Sequence, residues 1–247
     1  MKLGIFDSGV GGLSVLKPLL QTNFFKECIY YGDTARVPYG VKDKDTIIKF
    51  SLEALEFFKT KQVDMLIIAC NTVSAYALEI LRANANFPVL GVIDAGIMAV
   101  KNTLLDKKSK ILVIATRATA DSHKYQKGLH KEGFLNIEEK ATGLFVPMVE
   151  EGIFQGYFLE SAFKYYFNDL AYTPDALILA CTHFPLISSS LQKYFGDNTK
   201  LIHSGEAIAL QIEQEYNLRK KYKNTKLSFF ASSDEKKLKN IAKLWLI

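Results

Sequence analysis

Short runs of consecutive apolar residues alternate along the chain with longer stretches in which apolar positions recur every three or four residues. The runs are Leu3–Phe6, Cys28–Tyr31, Met65–Ala69, Val89–Ile93, Ile111–Ala115, Leu177–Ala180, Leu201–Ile202 and Leu227–Phe230. Met65–Ala69 is apolar without alternation, the pattern of a parallel strand covered on both faces. Asp45–Phe58 and Ser74–Ala83 carry helical periodicity. The alternation predicts an α/β fold with parallel sheets. Helix boundary signals fall between the runs. Asp94 suits the cap of a helix over Ala95–Leu105, and Asp121 or Thr119 that of one reaching His130. Ser204 precedes Glu206–Tyr216, and Gly133 stops the helix before it.

Two parts of this pattern repeat. Leu66-Ile67-Ile68-Ala69-Cys70 is matched by Leu177-Ile178-Leu179-Ala180-Cys181, and in each case a cysteine falls where an apolar strand gives way to a polar loop. Upstream, Lys2–Phe6 ends at Asp7-Ser8 as Lys110–Ile114 ends near Thr116. The spacing from Asp7 to Cys70 is 63 residues and that from Thr116 to Cys181 is 65. The repeat predicts two similar parallel-sheet halves with a cleft between them. One would comprise residues 1–93 plus 207–247, and the other residues 94–206.

Composition narrows the class. The 247 residues are 49% hydrophobic and 23% charged, an ordinary globular balance with ample core. Three cysteines cannot form a disulfide framework. No apolar stretch reaches the length of a membrane span, and MKLGIFDSG leaves no room for the apolar region of a signal peptide. A cytoplasmic protein is expected. The net charge of +5 lies entirely in residues 211–247, where nine basic side chains meet four acidic ones. Its run Arg219, Lys220, Lys221, Lys223, Lys226 reads as a solvated helix end and turn. No aromatic interleaving or zinc-finger spacing accompanies it, so no nucleic-acid partner is expected.

Candidate chemistry collects at the strand ends, where ligands sit in open parallel sheets. The loops are Asp7-Ser8-Gly9 with Gly11-Gly12, Gly32-Asp33 with Pro38-Tyr39-Gly40, Cys70-Asn71-Thr72, Thr116 with Thr119, and Cys181-Thr182-His183. The first loop lacks the spacing of a dinucleotide fingerprint, and the Asp7 carboxylate would crowd a pyrophosphate. No phosphate-binding Walker sequence occurs. Cys28, inside a strand, reads as a packed core residue. For Cys70 and Cys181 several readings stay open: buried small hydrophobes, zinc ligands with His183 and Asp7, a single Cys/His nucleophile, or two thiols facing one another across the cleft. The last would serve a reaction that takes a proton from one face of a carbon and returns it on the other. A thiol's pKa near neutrality suits that work, with Asp7 beside Cys70 and His183 beside Cys181 to adjust it.

The motifs Phe6-Asp7-Ser8-Gly9-Val10-Gly11-Gly12, Tyr31-Gly32-Asp33 with Arg36–Gly40, Ala69-Cys70-Asn71-Thr72 and Cys181-Thr182-His183-Phe184-Pro185-Leu186 occur in one order over residues 3–210. In these the sequence resembles the glutamate racemases, most of all the short enzymes of the Helicobacter and Campylobacter group. The resemblance implies interconversion of L- and D-glutamate for peptidoglycan synthesis, with no cofactor and no metal. It implies that Cys70 abstracts the α-proton of D-glutamate while Cys181 reprotonates the other face, the roles reversing from L-glutamate. Asp7 and His183 would assist the neighbouring cysteines, and Asp33 and Glu150 match auxiliary acidic positions. Asp7, Ser8, Tyr39, Gly40, Asn71, Thr72, Thr116, Thr119, Thr182 and His183 would hold the substrate. The sequence departs from the family at Val73, at Ala180 and at His203, where a small residue, a glycine and an aspartate respectively are common. An aspartate racemase is the neighbouring alternative, although Cys-Thr-His rather than Cys-Thr-Glu favours glutamate. A noncatalytic amino-acid sensor is a further alternative. The family includes dimers, and a homodimer is expected. The aromatic segment Phe154–Phe167 is a candidate interface, or equally a set of core aromatics.

Overall fold

The computed structural model describes residues 1–216 and 221–246. Arg219 and Lys220 of the basic run therefore lie outside the described residues, while Lys221, Lys223 and Lys226 are exposed. Nine strands are described: β1 (Lys2–Asp7), β2 (Glu27–Gly32), β3 (Met65–Ile68), β4 (Val89–Gly91), β5 (Lys110–Ala115), β6 (Asn136–Ala141), β7 (Ala176–Ala180), β8 (Lys200–His203) and β9 (Lys226–Ala231). They form two separate sheets, ordered β4-β3-β1-β2-β9 and β6-β5-β7-β8. Every pairing is parallel. The fold is α/β, with two similar sheet-and-helix units.

Among the described residues, twelve α-helices cover the sheets. The first sheet carries α1 (Leu13–Gln21), α2 (Lys44–Thr60), α3 (Asn71–Tyr76) and α4 (Leu78–Asn84). Next come α5 (Val92–Thr103), α6 (Arg117–Asp121), α7 (Lys124–Lys131), α8 (Phe145–Glu150), α9 (Tyr157–Phe167) and α10 (Ser188–Phe195). The last two are α11 (Ser204–Tyr216) and α12 (Glu235–Trp245). Among the described residues no helix is long and apolar enough to cross a membrane.

Alternation along each strand divides the core in two. Leu3, Ile5, Tyr30 and Ile67 face α1, α11 and α12, whereas Phe6, Ile29, Leu66 and Ile68 face α2 to α4. In the second sheet, Leu112, Ile114, Leu177 and Leu179 face α8 to α10, and Ile111, Val113 and Ile178 face α5 and α7. Helix α5 joins the two units. Its Val92 and Ala95 pack on the first sheet's core while Ile93 and Val100 pack on the second's. Helix α11 returns the chain from β8 to the first sheet, where Ile208 and Ile212 are buried.

Several elements differ from the sequence pattern for identifiable reasons. Helix α3 begins at Asn71, directly after Cys70, rather than at Ser74. Helix α5 begins at Val92, so Asp94 lies in its first turn rather than at its cap, where it pairs with Arg82. Thr119 and Asp121 lie inside α6, and the break before α7 is made by His123, with a left-handed φ of 54°. Strand β6 escapes an apolar pattern because Asn-Ile-Glu-Glu-Lys-Ala is a half-exposed edge strand, where charge blunts unwanted pairing. The aromatic segment divides: Phe163 and Phe167 are buried against Phe145, while Tyr157, Phe158 and Tyr165 are 69–79% exposed.

Helix α11 crosses α1 at backbone contact. A Cβ on Gly205 would lie 2.8 Å from the Ser14 carbonyl oxygen and 2.9 Å from the Val15 Cα. Gly205→Ala is expected to force these helices apart and lower stability by about 1–3 kcal/mol, the usual range for overpacking. The midpoint of denaturant unfolding measures it; an unshifted midpoint would mean the contact relaxes freely.

Candidate active site

The carboxyl ends of β1, β3, β5 and β7 converge where the two units meet. A small cavity of about 30 Å³ lies there, lined by Ser8, Tyr39, Gly40, Cys70, Asn71 and Thr72 from one side and Thr116, Cys181, Thr182 and His183 from the other. Val37, Pro38, Val146 and Ala180 complete its wall. The equivalence of β3 and β7, suggested by their shared Leu-Ile-x-Ala-Cys pattern, thus places both sulfurs on one space. Each cysteine follows the last residues of a fully buried central strand, and both are buried.

The surroundings of the two thiols differ. Cys70 caps α3, and its sulfur lies 3.5 Å from the Ser8 hydroxyl. Burial, then the nearby Asp7 carboxylate, pushes the Cys70 thiol up to about 12, against the hydrogen bonds from Ser8 and the Val73 amide. Val73 itself packs wholly inside the first core, so its larger side chain is accommodated behind the loop. Cys181 lies 3.8 Å from His183 Nδ1, a loose sulfur–imidazole contact. On its other side, His183 Nε2 is 3.3 Å from Glu150 Oε1, an ion-pair contact rather than a well-aligned hydrogen bond. Burial works against the imidazolium, but Cys181, Glu150 and Asp7 outweigh it and raise the His183 pKa to about 10. Glu150 is lowered in turn, chiefly by its contact with His183.

Asp7 is fully buried and ties the two units together. It accepts from the Gly9 amide at 3.0 Å and from the Thr182 hydroxyl at 3.3 Å. Burial raises its pKa, opposed by His183 and these donors. Across the same seam the Ser14 hydroxyl donates to the Thr182 carbonyl at 2.7 Å. A Cβ at Gly11 would lie 2.4 Å from Thr182 Oγ1, so only glycine permits the loop to approach this closely.

Besides His183, the polar wall holds neutral donors. Thr72, Thr116 and Thr119 form a triangle of hydroxyls with sides of 3.1, 3.0 and 3.1 Å. Thr72 and Thr116 line the cavity, while Thr119 stands behind them. Asn71 receives a hydrogen bond at Oδ1 from the Tyr125 hydroxyl at 2.7 Å, and its Nδ2 is buried without a partner. Asp33 touches neither thiol: it accepts from the Tyr39 hydroxyl and from Arg36 Nε at 2.7 Å, so its influence reaches the cavity through Tyr39. Cys28 packs on the face of the first sheet covered by α1, α11 and α12, away from the cavity. His203 ends β8 outside the cavity wall, where burial holds its pKa down against the pull of Glu206. Among the described residues no group of three His, Cys, Asp or Glu side chains is placed to hold a metal ion. The sequence reading singled out neither Tyr125 nor Ser14. A tyrosine at an apolar position of α7 and a serine in α1 carry no local signal of a contact across the seam.

A family model described as Asp/Glu/hydantoin racemase matches residues 17–212. A glutamate racemase of Campylobacter jejuni subsp. jejuni is 66% identical over 246 residues, covering 100% of this chain and 98% of that protein. The chain belongs to the Asp/Glu/hydantoin racemase family. Solved structures of glutamate racemases resemble it, among them the following two. The C. jejuni crystal structure superposes with a TM-score of 0.98 at 66% identity, covering 100% of this chain and 98% of that one. A Francisella tularensis glutamate racemase in complex with D-glutamate gives 0.89 at 35% identity, covering 99% and 93%. The cavity of this racemase-family chain lies between its two sheets, at their carboxyl ends.

The Cys181–His183–Glu150 line makes a checkable electrostatic statement. Glu150→Gln removes the carboxylate that helps hold the proton on His183. The imidazole titration, near 10, is expected to fall by about one pH unit, a modest effect because Glu150 is half-exposed and partly screened. The His183 ring-proton chemical shift followed by NMR reports it. An unmoved titration would show that Glu150 does not support the imidazolium.

Proposed function

We propose that this chain interconverts L- and D-glutamate by a cofactor-independent two-base reaction, with Cys70 and Cys181 as the bases. The observation that carries the reading is that two cysteines from equivalent strand ends of two similar sheets line a single cavity. Membership of the racemase family and the 66% identity to a glutamate racemase support the same substrate.

From D-glutamate, the Cys70 thiolate takes the α-proton, leaving the electron pair on the α-carbon. The Cys181 thiol then gives its proton to the opposite face, and the product leaves with the two thiols' protonation exchanged. From L-glutamate the same steps run in reverse, Cys181 taking the proton and Cys70 giving one. Asp7 supplies charge beside Cys70, and the His183–Glu150 pair moves or stabilises charge beside Cys181. Asp33 acts on the cavity only by fixing Tyr39. Carboxylates and ammonium are held by Ser8, Asn71, Thr72, Thr116, Thr182 and the Tyr39-Gly40 turn, with Thr119 as support. The α-proton is a very weak acid, so fixed donors must be in place before negative charge develops on the carbon.

The cavity has room for only a water molecule or two, less than glutamate needs. On this reading the units part to admit substrate and return around it, excluding water from the carbanion. The units are the proposed domains, residues 1–93 with 207–247 and residues 94–206. The product would supply D-glutamate for peptidoglycan synthesis in the cytoplasm. We also assign a homodimer, for which the exposed Tyr157, Phe158 and Tyr165 on α9 offer an aromatic face.

Racemisation in deuterium oxide tests the reading. Wild type is expected to invert glutamate and incorporate solvent deuterium at the α-carbon, with aspartate much slower. Cys70→Ser and Cys181→Ser are each expected to lose at least about a thousandfold in kcat, since a seldom-ionised alcohol replaces a tunable thiol. Undiminished turnover in either variant would exclude the two-thiol reaction, and faster inversion of aspartate would reassign the substrate.

A further inference from the structure

The Asn71 side chain presents a problem that its immediate neighbours do not solve. It is buried at the cavity wall, and an amide can present either its oxygen or its NH2 group to a ligand. An oxygen facing the cavity would repel a carboxylate, whereas the NH2 group would bind one. Nothing on its own helix fixes the choice.

The fixing contact comes from the other unit. Tyr125, on α7, donates its hydroxyl proton to Asn71 Oδ1 at 2.7 Å. Because the two polar ends of an amide point apart, holding Oδ1 on the phenol turns Nδ2 the other way, and that nitrogen is buried with no partner in the protein. We propose that Tyr125 is a positioning residue that sets the Asn71 amide so its NH2 group binds a substrate carboxylate.

The surroundings of Tyr125 fit that role. Its ring is wholly buried in the core that Ala75, Ile93 and Leu129 share, so the hydroxyl cannot swing away. Burial keeps the phenol protonated, and so a donor. Gly96 on α5 makes room for it: a Cβ there would come within 3.1 Å of the ring. The contact also spans the seam, since Asn71 follows β3 of the first sheet and Tyr125 sits on the second. Substrate-binding geometry at Asn71 is thereby linked to the closeness of the two units.

This inference rests on glutamate being the substrate, and the experiment separates the two. Wild-type racemisation of glutamate is measured first; its absence takes down the proposed function and this role with it. With wild type active, Tyr125→Phe is expected to raise KM about tenfold for both enantiomers with kcat changed less than about twofold, the signature of lost uniform binding. In an Asn71→Ala background, the same substitution is expected to change KM by less than about twofold, because the tyrosine acts through the amide. Unchanged KM in Tyr125→Phe, or the same tenfold change with and without Asn71, overturns the positioning role while leaving the racemase reading intact. Should Tyr125→Phe fail to fold, Gly96→Ala, which displaces the ring but keeps its hydroxyl, takes its place. A KM rise that disappears in the Asn71→Ala background supports the role, and any other result overturns it.

Discussion

The site depends on the burial of polar groups in a seam between two units. A polar atom taken from water must find a partner in the protein, and here many of those partners stand on the opposite unit. Asp7 receives Thr182, the Thr182 carbonyl receives Ser14, Thr72 meets Thr116 and Thr119, and Asn71 meets Tyr125. The cross-seam bonds are therefore structural and functional together. They align the units to within hydrogen-bond tolerance, and the same alignment brings two sulfurs to one cavity. Separating the units would expose all of these groups to water together.

The near-symmetry of the sheets does not extend to the charges around the thiols. Cys70 has a hydroxyl and a buried carboxylate for company, and it is held as a thiol. Cys181 has an imidazolium backed by a glutamate. The different neighbours of equivalent strand ends make the two thiols chemically inequivalent. Under the two-base reading proposed above, Cys70 as a thiol is the donor of the L-to-D direction, and burial and Asp7 oppose the thiolate that the D-to-L direction needs.

The sequence was most informative where burial is complete. The central strands β1, β3, β5 and β7 are apolar on both faces, and their runs stand out against any flanking sequence. The ending shared by β3 and β7 marks Cys70 and Cys181 in the sequence alone. The edge strand β6 was invisible because a half-exposed strand tolerates Glu138, Glu139 and Lys140. Helix starts shifted by a few residues because capping signals are local, whereas α3 and α5 begin where strand ends hand the chain over. Aromatic residues in α9 could not be assigned to core or surface from spacing, since Phe163 and Tyr165 differ only in which side of the helix meets Phe145 and Tyr194. Contacts across the seam, such as Tyr125 with Asn71, join residues 54 positions apart and leave no local trace.

Apart from the His183 imidazolium, the donors in the wall are neutral. Arg36, the nearest arginine to Tyr39, is engaged with Asp33 and Glu53 and does not face the cavity. A free guanidinium there would hold a carboxylate tightly but would also fix it in one orientation, whereas both enantiomers must present the α-carbon between the same two sulfurs. The threonine triangle answers this differently. Three hydroxyls joined on all sides use their three protons on one another, so an incoming carboxylate gains a donor only by breaking one side of the triangle. The net gain from such an exchange is small, because one hydrogen bond replaces another. A donor with no partner to give up gains more from a carboxylate. Asn71 Nδ2 is such a donor, and for that reason its orientation has to be fixed from across the seam rather than left to the ligand.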